Sequence, residues 1–226
     1  LIDMRKHKGE HPRIGATDVV PFIPVSGVTT KECVEISNKL AKMVSSKLKI
    51  PVYMYEASAK RKDRVNLADV RRGEYEGLKV EIETNKEKKP DYGPSKMHPT
   101  AGAIVIGARK YLIAYNVNLN TKNIDVAKKI ASKIREKDGG LPGVKALGFE
   151  VGGYAQISMN LVDFEKTNIE KAYFEIEKLT KKYKVGIKSS EIYGMIPMDA
   201  LILSVKNMLK AKDFSSDQIL EKRLYE

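Results

Sequence analysis

The sequence predicts an α+β protein made of two α/β sandwiches in tandem, each of the split βαβ type, with the first one incomplete. Three observations lead there. Residues 111–193 read strand, helix, strand, strand, helix, strand. Residues 17–55 read strand, helix, strand, which is half of such a unit. Between them, residues 85–100 (NKEKKPDYGPSKMHPT) are rich in proline and lysine and poor in apolar residues, the composition of a linker.

The elements follow in order. Residues 17–25 are rich in β-branched side chains and read as a strand. Thr29 or Thr30 caps a helix to about Leu48, with Val34, Ile36, Leu40 and Val44 among its apolar positions. Residues 51–55 form a second strand. Completing this half to a full sheet calls for roughly 60–80 further residues. The chain starts with Leu1, so the expectation is an N-terminally cut or incompletely recorded protein with two similar domains in tandem, the alternative being a small complete domain of unusual topology. In residues 111–119, Tyr111, Ile113, Tyr115, Val117 and Leu119 share one face, while Leu112, Ala114, Asn116 and Asn118 share the other. Ile124, Ala127, Ile130, Ala131 and Ile134 recur at helical spacing, and Gly139, Gly140, Pro142 and Gly143 end that helix. Residues 144–151 and 155–164 read as strands around the turn Gly152-Gly153. In the second of them Ile157, Met159 and Leu161 oppose Gln156, Ser158 and Asn160. Ile169, Ala172, Tyr173, Ile176 and Leu179 mark another helix, residues 186–193 a fourth strand, and Leu201, Val205, Met208 and Leu209 a last helix after Pro197. Four strands backed by two helices in this order is the ferredoxin-like arrangement.

Composition bounds the function. The 226 residues are 42% hydrophobic, enough for a core, and no apolar run is long enough to cross a bilayer. The first residues carry their charges after the only apolar pair, unlike a secretory signal. A single cysteine, Cys33, excludes an internal disulfide and fits a reducing, cytoplasmic setting; its place on an amphipathic helix reads as core. The net charge of +12 favours anionic partners without choosing among nucleic acid, membrane and small polyanions. Walker A, G-x-S-x-G and Cys-x-x-Cys patterns are absent.

The stretch His7-Lys8-Gly9-Glu10-His11-Pro12-Arg13 holds two of the three histidines. Histidine exchanges a proton near neutral pH, and glycine and proline set it on a bend. On paper His7, Glu10 and His11 match H-x-x-E-H, but that zinc pattern requires a helix, which Gly9 and Pro12 disfavour. Two readings stay open: a general base oriented by Glu10, Asp18 or a residue outside this chain, and a turn whose histidines cap or pack. The second candidate is the polar sheet face of Asn116, Asn118, Gln156, Ser158 and Asn160. Its side chains either hydrogen-bond a polar heterocycle or form a solvated surface. A basic ferredoxin-like pair also raises RNA binding, although no aromatic RNP1 run is present.

Four stretches taken together resemble one family: HKGEHPRIGATDVVPFIPV, RRGEYEGL, DYGPSKMHPTAGAIVIGARKYLIAYNVNL and AQISMNLVDFE. They are similar to the formiminotransferase unit of glutamate formimidoyltransferases, which in animals is the front part of formimidoyltransferase-cyclodeaminase. The resemblance runs from Leu1 to about residue 210 and enters the family after its opening segment. It implies two ferredoxin-like subdomains enclosing a folate tunnel, with residues 1–92 as the end of the first subdomain, 93–102 as a folate-binding loop and 103–226 as the second subdomain. It also implies transfer of a formimino group from N-formimino-L-glutamate to N5 of tetrahydrofolate, a step of histidine degradation. By resemblance His11 is the catalytic base, and folate is bound by Gly93, Pro94, Ser95, Lys96, Met97, His98, Pro99, Thr100, Ala101 and Gly102. Glu10 and the five polar sheet residues become candidates for the tunnel lining. Lys96, Met97 and His98 depart from the apolar and aromatic residues of animal members. The resemblance further implies tetrahydrofolate as co-substrate, no metal, no nucleic acid or membrane partner, a homodimer, and an aspartate before Leu1 that orients the base. A homologue acting on another one-carbon folate, such as 5-formyltetrahydrofolate, is the nearest alternative.

Overall fold

A computed structural model of the chain describes residues 2–9 and 12–225. The chain divides into two compact units, Leu1–Lys110 and Tyr111–Glu226.

The first unit is built on three strands, β1 (Asp18–Phe22), β2 (Val52–Glu56) and β3 (Ile104–Ala108), all parallel, in the order β1-β3-β2. The expectation of a two-stranded remnant is therefore corrected. Residues 103–110, assigned from sequence to the second unit, belong to the first, because β3 is inserted between β1 and β2. Ile104–Ala108 is buried along its whole length, as a central parallel strand with both faces covered must be. Pro21, which has no N–H to give a ladder, lies on the edge strand β1.

Helix α1 (Thr30–Leu48) starts at Thr29, whose hydroxyl accepts the Glu32 N–H while the Glu32 carboxylate accepts the Thr29 N–H, a capping box. Its buried stripe is Cys33, Ser37, Ala41 and Ser45. The apolar positions noted in the sequence flank this stripe: Val34, Leu40 and Val44 are half-buried, Leu40 and Val44 packing against the core, and Ile36 is 43% exposed. Small residues at i, i+4 spacing let the helix approach the sheet closely, and Ser37 meets its polar requirement by bonding to the Val34 carbonyl and the Ser58 hydroxyl. Ala41 packs with Val52, Met54, Ile104 and Ile106 on this side of the sheet. On the other side Tyr53, Tyr55 and Val105 pack with Met4, Ile14, Met97, Tyr75 and Leu78. The last two belong to α3 (Glu74–Glu81), which follows the single turn α2 (Leu67–Val70).

Residues 85–100 are not a free linker. Tyr92 bridges to Val52 in backbone pairing, its hydroxyl donates to Asn38, and Asp91 pairs with Arg64 in the interior.

The second unit is a four-stranded antiparallel sheet of β4 (Ile113–Leu119), β5 (Val144–Val151), β6 (Tyr154–Leu161) and β7 (Ile187–Tyr193), ordered β5-β6-β4-β7. Helix α4 (Ile124–Ile134) joins β4 to β5 and α5 (Ile169–Lys182) joins β6 to β7. This is the split βαβ topology expected. One face of the sheet, Tyr115, Val117, Ile157, Met159 and Ala146, packs on Ile130, Ile134 and Ile176. Gly152 and Gly153, both at positive φ, make the two-residue turn between β5 and β6. Helix α6 (Met198–Leu209) buries Ala200 and Ile202, whereas the predicted stripe of Leu201, Val205, Met208 and Leu209 is exposed. Ala200 and Ile202, and not the four side chains of that stripe, form the buried side of the helix. A short helix α7 (Leu220–Tyr225) follows. No helix among the described residues is long and apolar enough to cross a membrane.

Candidate functional site

His11 and Glu10 lie outside the described residues, so the site is built from what flanks them. Upstream, residues 3–7 form a turn in which the Lys6 and His7 N–H groups donate to the Asp3 carbonyl. Arg5 grips the Asp3 carboxylate and holds its pKa at about 2. Met4, buried, donates its N–H to the Thr100 carbonyl at 2.8 Å. Downstream, Arg13 is a clamp. One guanidinium nitrogen donates to Glu74 (3.0 Å) and Glu76 (2.9 Å), and the other to Glu76 (2.7 Å) and the His7 carbonyl (3.1 Å). The Arg13 carbonyl in turn accepts the Tyr75 N–H at 2.8 Å. His7 and Arg13, on the two sides of residues 10 and 11, are thus tied to each other and to the first turn of α3.

Beyond Arg13 the chain runs beside the glycine-proline loop. The Ala103 N–H donates to the Ile14 carbonyl (3.0 Å) and the Ala16 N–H to the Ala101 carbonyl (2.9 Å), with Gly15 bridging Gly102. Gly102 needs its glycine twice: φ is +73°, and a Cβ would sit 2.5 Å from the Ile14 carbonyl oxygen. The loop also closes on itself. His98 and Gly102 exchange backbone hydrogen bonds at 3.1 and 3.2 Å, and the His98 Nδ1 accepts the N–H groups of Thr100 and Ala101. Met97 is in the core, while Gly93, Pro94, Ser95, Lys96 and Pro99 are exposed. Within the first unit, then, the loop picked out by sequence and residues 14–16, which follow His11 in the chain, are hydrogen-bonded neighbours.

Asp18 was a candidate to orient a histidine. One of its oxygens accepts the Ile14 N–H at 2.8 Å and the other takes the Arg71 guanidinium. Both are committed to holding the segment that follows His11. The sequence reading gave no role to Arg13, Arg71 or Tyr75. Arg71 and Tyr75 lie in the quoted RRGEYEGL stretch, but nothing local in that string says which residues it grips. A separate cleft of about 350 Å³ in this unit is lined by Tyr53, Arg64, Asp69, Arg72, Leu78 and Lys88. It carries charges of both signs and none of the predicted site residues.

In the second unit the five polar sheet residues do share one face. Asn116 lies opposite Ser158 and Asn118 opposite Gln156 in the β4–β6 ladder; Asn160, paired with Ala114, is exposed. On this face β7 adds three residues the sequence reading missed, Ser189, Glu191 and Tyr193. Gln156 donates to Asn118 (2.9 Å), and Asn118 donates to Ser189 (3.1 Å) and Glu191 (2.9 Å). Tyr193 donates its hydroxyl to Glu191 at 3.1 Å, and that carboxylate pushes the phenol pKa up. Nearby, the Lys188 ammonium lies 3.4 Å from the Tyr154 ring centroid and draws that phenol pKa down.

Comparison with known proteins completes the description. Residues 1–109 match the family described as formiminotransferase domain, N-terminal subdomain, and residues 114–223 match formiminotransferase domain. A glutamate formimidoyltransferase of Streptococcus pyogenes serotype M1 is 47% identical over 226 residues, covering 99% of this chain and 75% of that protein. One of Thermoplasma acidophilum is also 47% identical, with the same coverage. The formimidoyltransferase-cyclodeaminase of Dictyostelium discoideum is 41% identical over 99% of this chain and 43% of its own length.

Proposed function

The chain belongs to the formiminotransferase family, and from that premise we propose that it moves the formimino group of N-formimino-L-glutamate onto N5 of tetrahydrofolate. The observation that carries this reading is the 47% identity to two glutamate formimidoyltransferases across 99% of the chain. RNA binding is not favoured, since the matched families and relatives are transferases. The lone cysteine, buried on α1, fits a reducing, cytoplasmic setting.

In this reading His11 is the general acid and base. The lone pair of N5 attacks the formimino carbon, and N5 gains positive charge as the C–N bond forms. The N5 proton passes to the His11 imidazole. The bond to the glutamate nitrogen then breaks as the imidazole returns that proton to the leaving amine. The products are 5-formiminotetrahydrofolate and glutamate, with no net proton taken up. A group with an unperturbed pKa of about 6.5 can do both steps near neutral pH. The loop 93–102 holds the folate. The pairing of residues 14–16 with residues 101–103 supports these roles, because a rigid tie between base-bearing segment and binding loop is what a transfer between two bound substrates requires. Lys96, exposed on that loop, offers a cation to the carboxylates of either substrate.

The test is His11→Ala. Turnover should fall by about 10²–10⁴-fold while the Kd for tetrahydrofolate stays close to that of the unaltered protein. Unchanged turnover removes His11 from the mechanism, and absence of transfer by the unaltered chain removes the function.

A further inference from the structure

The terminal nitrogens of Arg13 make four hydrogen bonds: two parallel ones to Glu76, one to Glu74 and one to the His7 carbonyl. Its Nε is buried and has no acceptor. The Arg13 side chain is 11% exposed, whereas Glu74 and Glu76 are 43% and 64% exposed. Ion pairs to carboxylates this well hydrated add little stability, and a buried donor left unpaired subtracts from it. The clamp is therefore a weak device for holding the fold together. What it does hold is geometry.

The backbone around the clamp is strained. Gly73 and Glu74 are successive left-handed residues, at φ +89° and +54°. Glycine takes that conformation at little cost and glutamate does not, so position 74 supplies a carboxylate at the expense of its backbone. Asp18 repeats the pattern. It stands at φ +60° and gives its carboxylate to the Ile14 N–H and to Arg71. The two places are joined, because the Glu74 N–H donates to the Arg71 carbonyl. Left-handed residues other than glycine persist where their surroundings over-determine them, and they gather at functional positions. Here the two fasten residues 13–18 to the turn at residues 71–76. Arg13 also reaches back across residues 8–12 to the His7 carbonyl, and the His7 N–H is itself held by the Asp3 carbonyl. The backbone bonds of Ile14, Ala16 and Tyr75 do not involve the guanidinium. Its removal thus frees the stretch 8–12 and leaves the pairing with residues 101–103 in place.

Resting on the reading of His11 as the base, we infer that Arg13 is a positioning residue: its clamp fixes the stretch that carries the base, and so governs the rate of transfer and not the affinity for either substrate. Misplacing a reacting group by about 1 Å costs on the order of 10²-fold in rate, an effect out of proportion to what such exposed ion pairs add to stability. The property in use is the shape of the fork, which meets Glu76 with two parallel bonds and still reaches the His7 carbonyl. A lysine ammonium is a point charge and does not reproduce it.

The experiment measures kcat and the KM of both substrates, well below the melting temperature, for Arg13→Met, Arg13→Lys and Glu76→Gln. Arg13→Met should lose about 10- to 100-fold in kcat while KM for tetrahydrofolate and for N-formimino-L-glutamate stays where it was, the mark of an interaction that serves the transition state alone. Calorimetric titration of the same variant with tetrahydrofolate should return the Kd of the unaltered protein. Arg13→Lys keeps the charge and loses the fork, and should fall nearly as far. Glu76→Gln loses a charge but keeps an acceptor for one arm, and should retain most of its kcat. Unchanged kcat in Arg13→Met overturns the inference. A raised KM with kcat kept also overturns it, because Arg13 then binds substrate. An Arg13→Lys variant at full rate, or a Glu76→Gln variant that falls as far as Arg13→Lys, does the same, since either makes the charge and not the fork the property in use. If Arg13→Met fails to fold, the comparison of Arg13→Lys with Glu76→Gln decides alone. Transfer that His11→Ala abolishes and Arg13→Met leaves untouched defeats this inference and spares the function. No transfer by the unaltered chain defeats both.

Discussion

Gly15 lies so close to Ala103 that a Cβ built on it would sit 1.8 Å from the Ala103 carbonyl oxygen. No side chain fits there, and the two hydrogen bonds that flank Gly15 depend on the approach. Gly15→Ala must push residues 14–16 away from residues 101–103. Overpacking of this kind costs about 1–3 kcal/mol, readable as a lower melting temperature. Because the displacement falls between the base-bearing segment and the loop, kcat/KM for tetrahydrofolate should drop by at least ~10-fold. An alanine variant with unaltered melting and turnover would mean that the approach is not tight.

Arg13 couples Glu76 to the His7 carbonyl, and its hydrogen bonds hold the Glu76 carboxyl below its ordinary range. A lowered folded-state pKa contributes stability above the unfolded value and loses it as pH falls through the folded value. Glu76→Gln should therefore lower the melting temperature near neutral pH, and the difference from the unaltered protein should close as the solution is acidified below the ordinary carboxylate pKa. Glu76 is largely exposed, so the effect is small and weakens with salt. A difference that grows on acidification contradicts the assignment.

The second unit was the legible one. In β4 the alternation of Ile113, Tyr115 and Val117 with Asn116 and Asn118 fixes which face is buried, and the Gly152-Gly153 turn fixes the register of β5 on β6. β7 resisted the same reading: Ser189, Ser190 and Glu191 carry no polar-apolar contrast, and the ladder shifts between Asn118 and Leu119. Glu191 therefore went unassigned although both amides that hold it were found. β3 was misplaced for the opposite reason. Ile104, Val105 and Ile106 are uniformly apolar, and a strand buried on both faces has no periodicity to say which sheet it joins. On α1 the contact face is marked by serine, alanine and cysteine, which no apolar stripe reveals. The candidate site was legible as strings, HKGEHP and the glycine-proline loop, but not as a clamp. Arg13 and Glu76 are 63 residues apart, and only folding joins them.

Arg64 and Asp91 form an interior ion pair at 2.7 Å, with both side chains nearly inaccessible. Arg64 also donates to the carbonyls of Glu87 and Lys89, and Asp91 accepts the Met54 N–H. Residues 86–91 are thereby pinned to β2. Asp91→Asn keeps an acceptor for Met54 but leaves a buried guanidinium without its counter-charge, at a cost of about 3–5 kcal/mol. Denaturant melts should show that loss. The double variant Arg64→Met, Asp91→Asn should be less destabilised than the sum of the single changes, since it removes the orphaned charge. Strict additivity would mean the two residues act separately.

His98 ties the glycine-proline loop through its Nδ1, which accepts the N–H groups of Thr100 (3.3 Å) and Ala101 (3.0 Å). An accepting Nδ1 leaves Nε2 as the protonated nitrogen of the neutral ring. Asparagine carries an oxygen near the position of Nδ1, and glutamine carries its amide near the position of Nε2. The two substitutions therefore separate the tie from whatever the outer nitrogen does. His98→Asn should keep most of the stability and most of the affinity for tetrahydrofolate, because the N–H groups keep their acceptor. His98→Gln strips that acceptor at a cost of about 1–2 kcal/mol, and the loosened loop should bind folate more weakly. Melting and calorimetric titration of both variants give the order. If glutamine serves better than asparagine in the folate titration, the outer nitrogen is the one that matters, and the loop's shape does not depend on this ring.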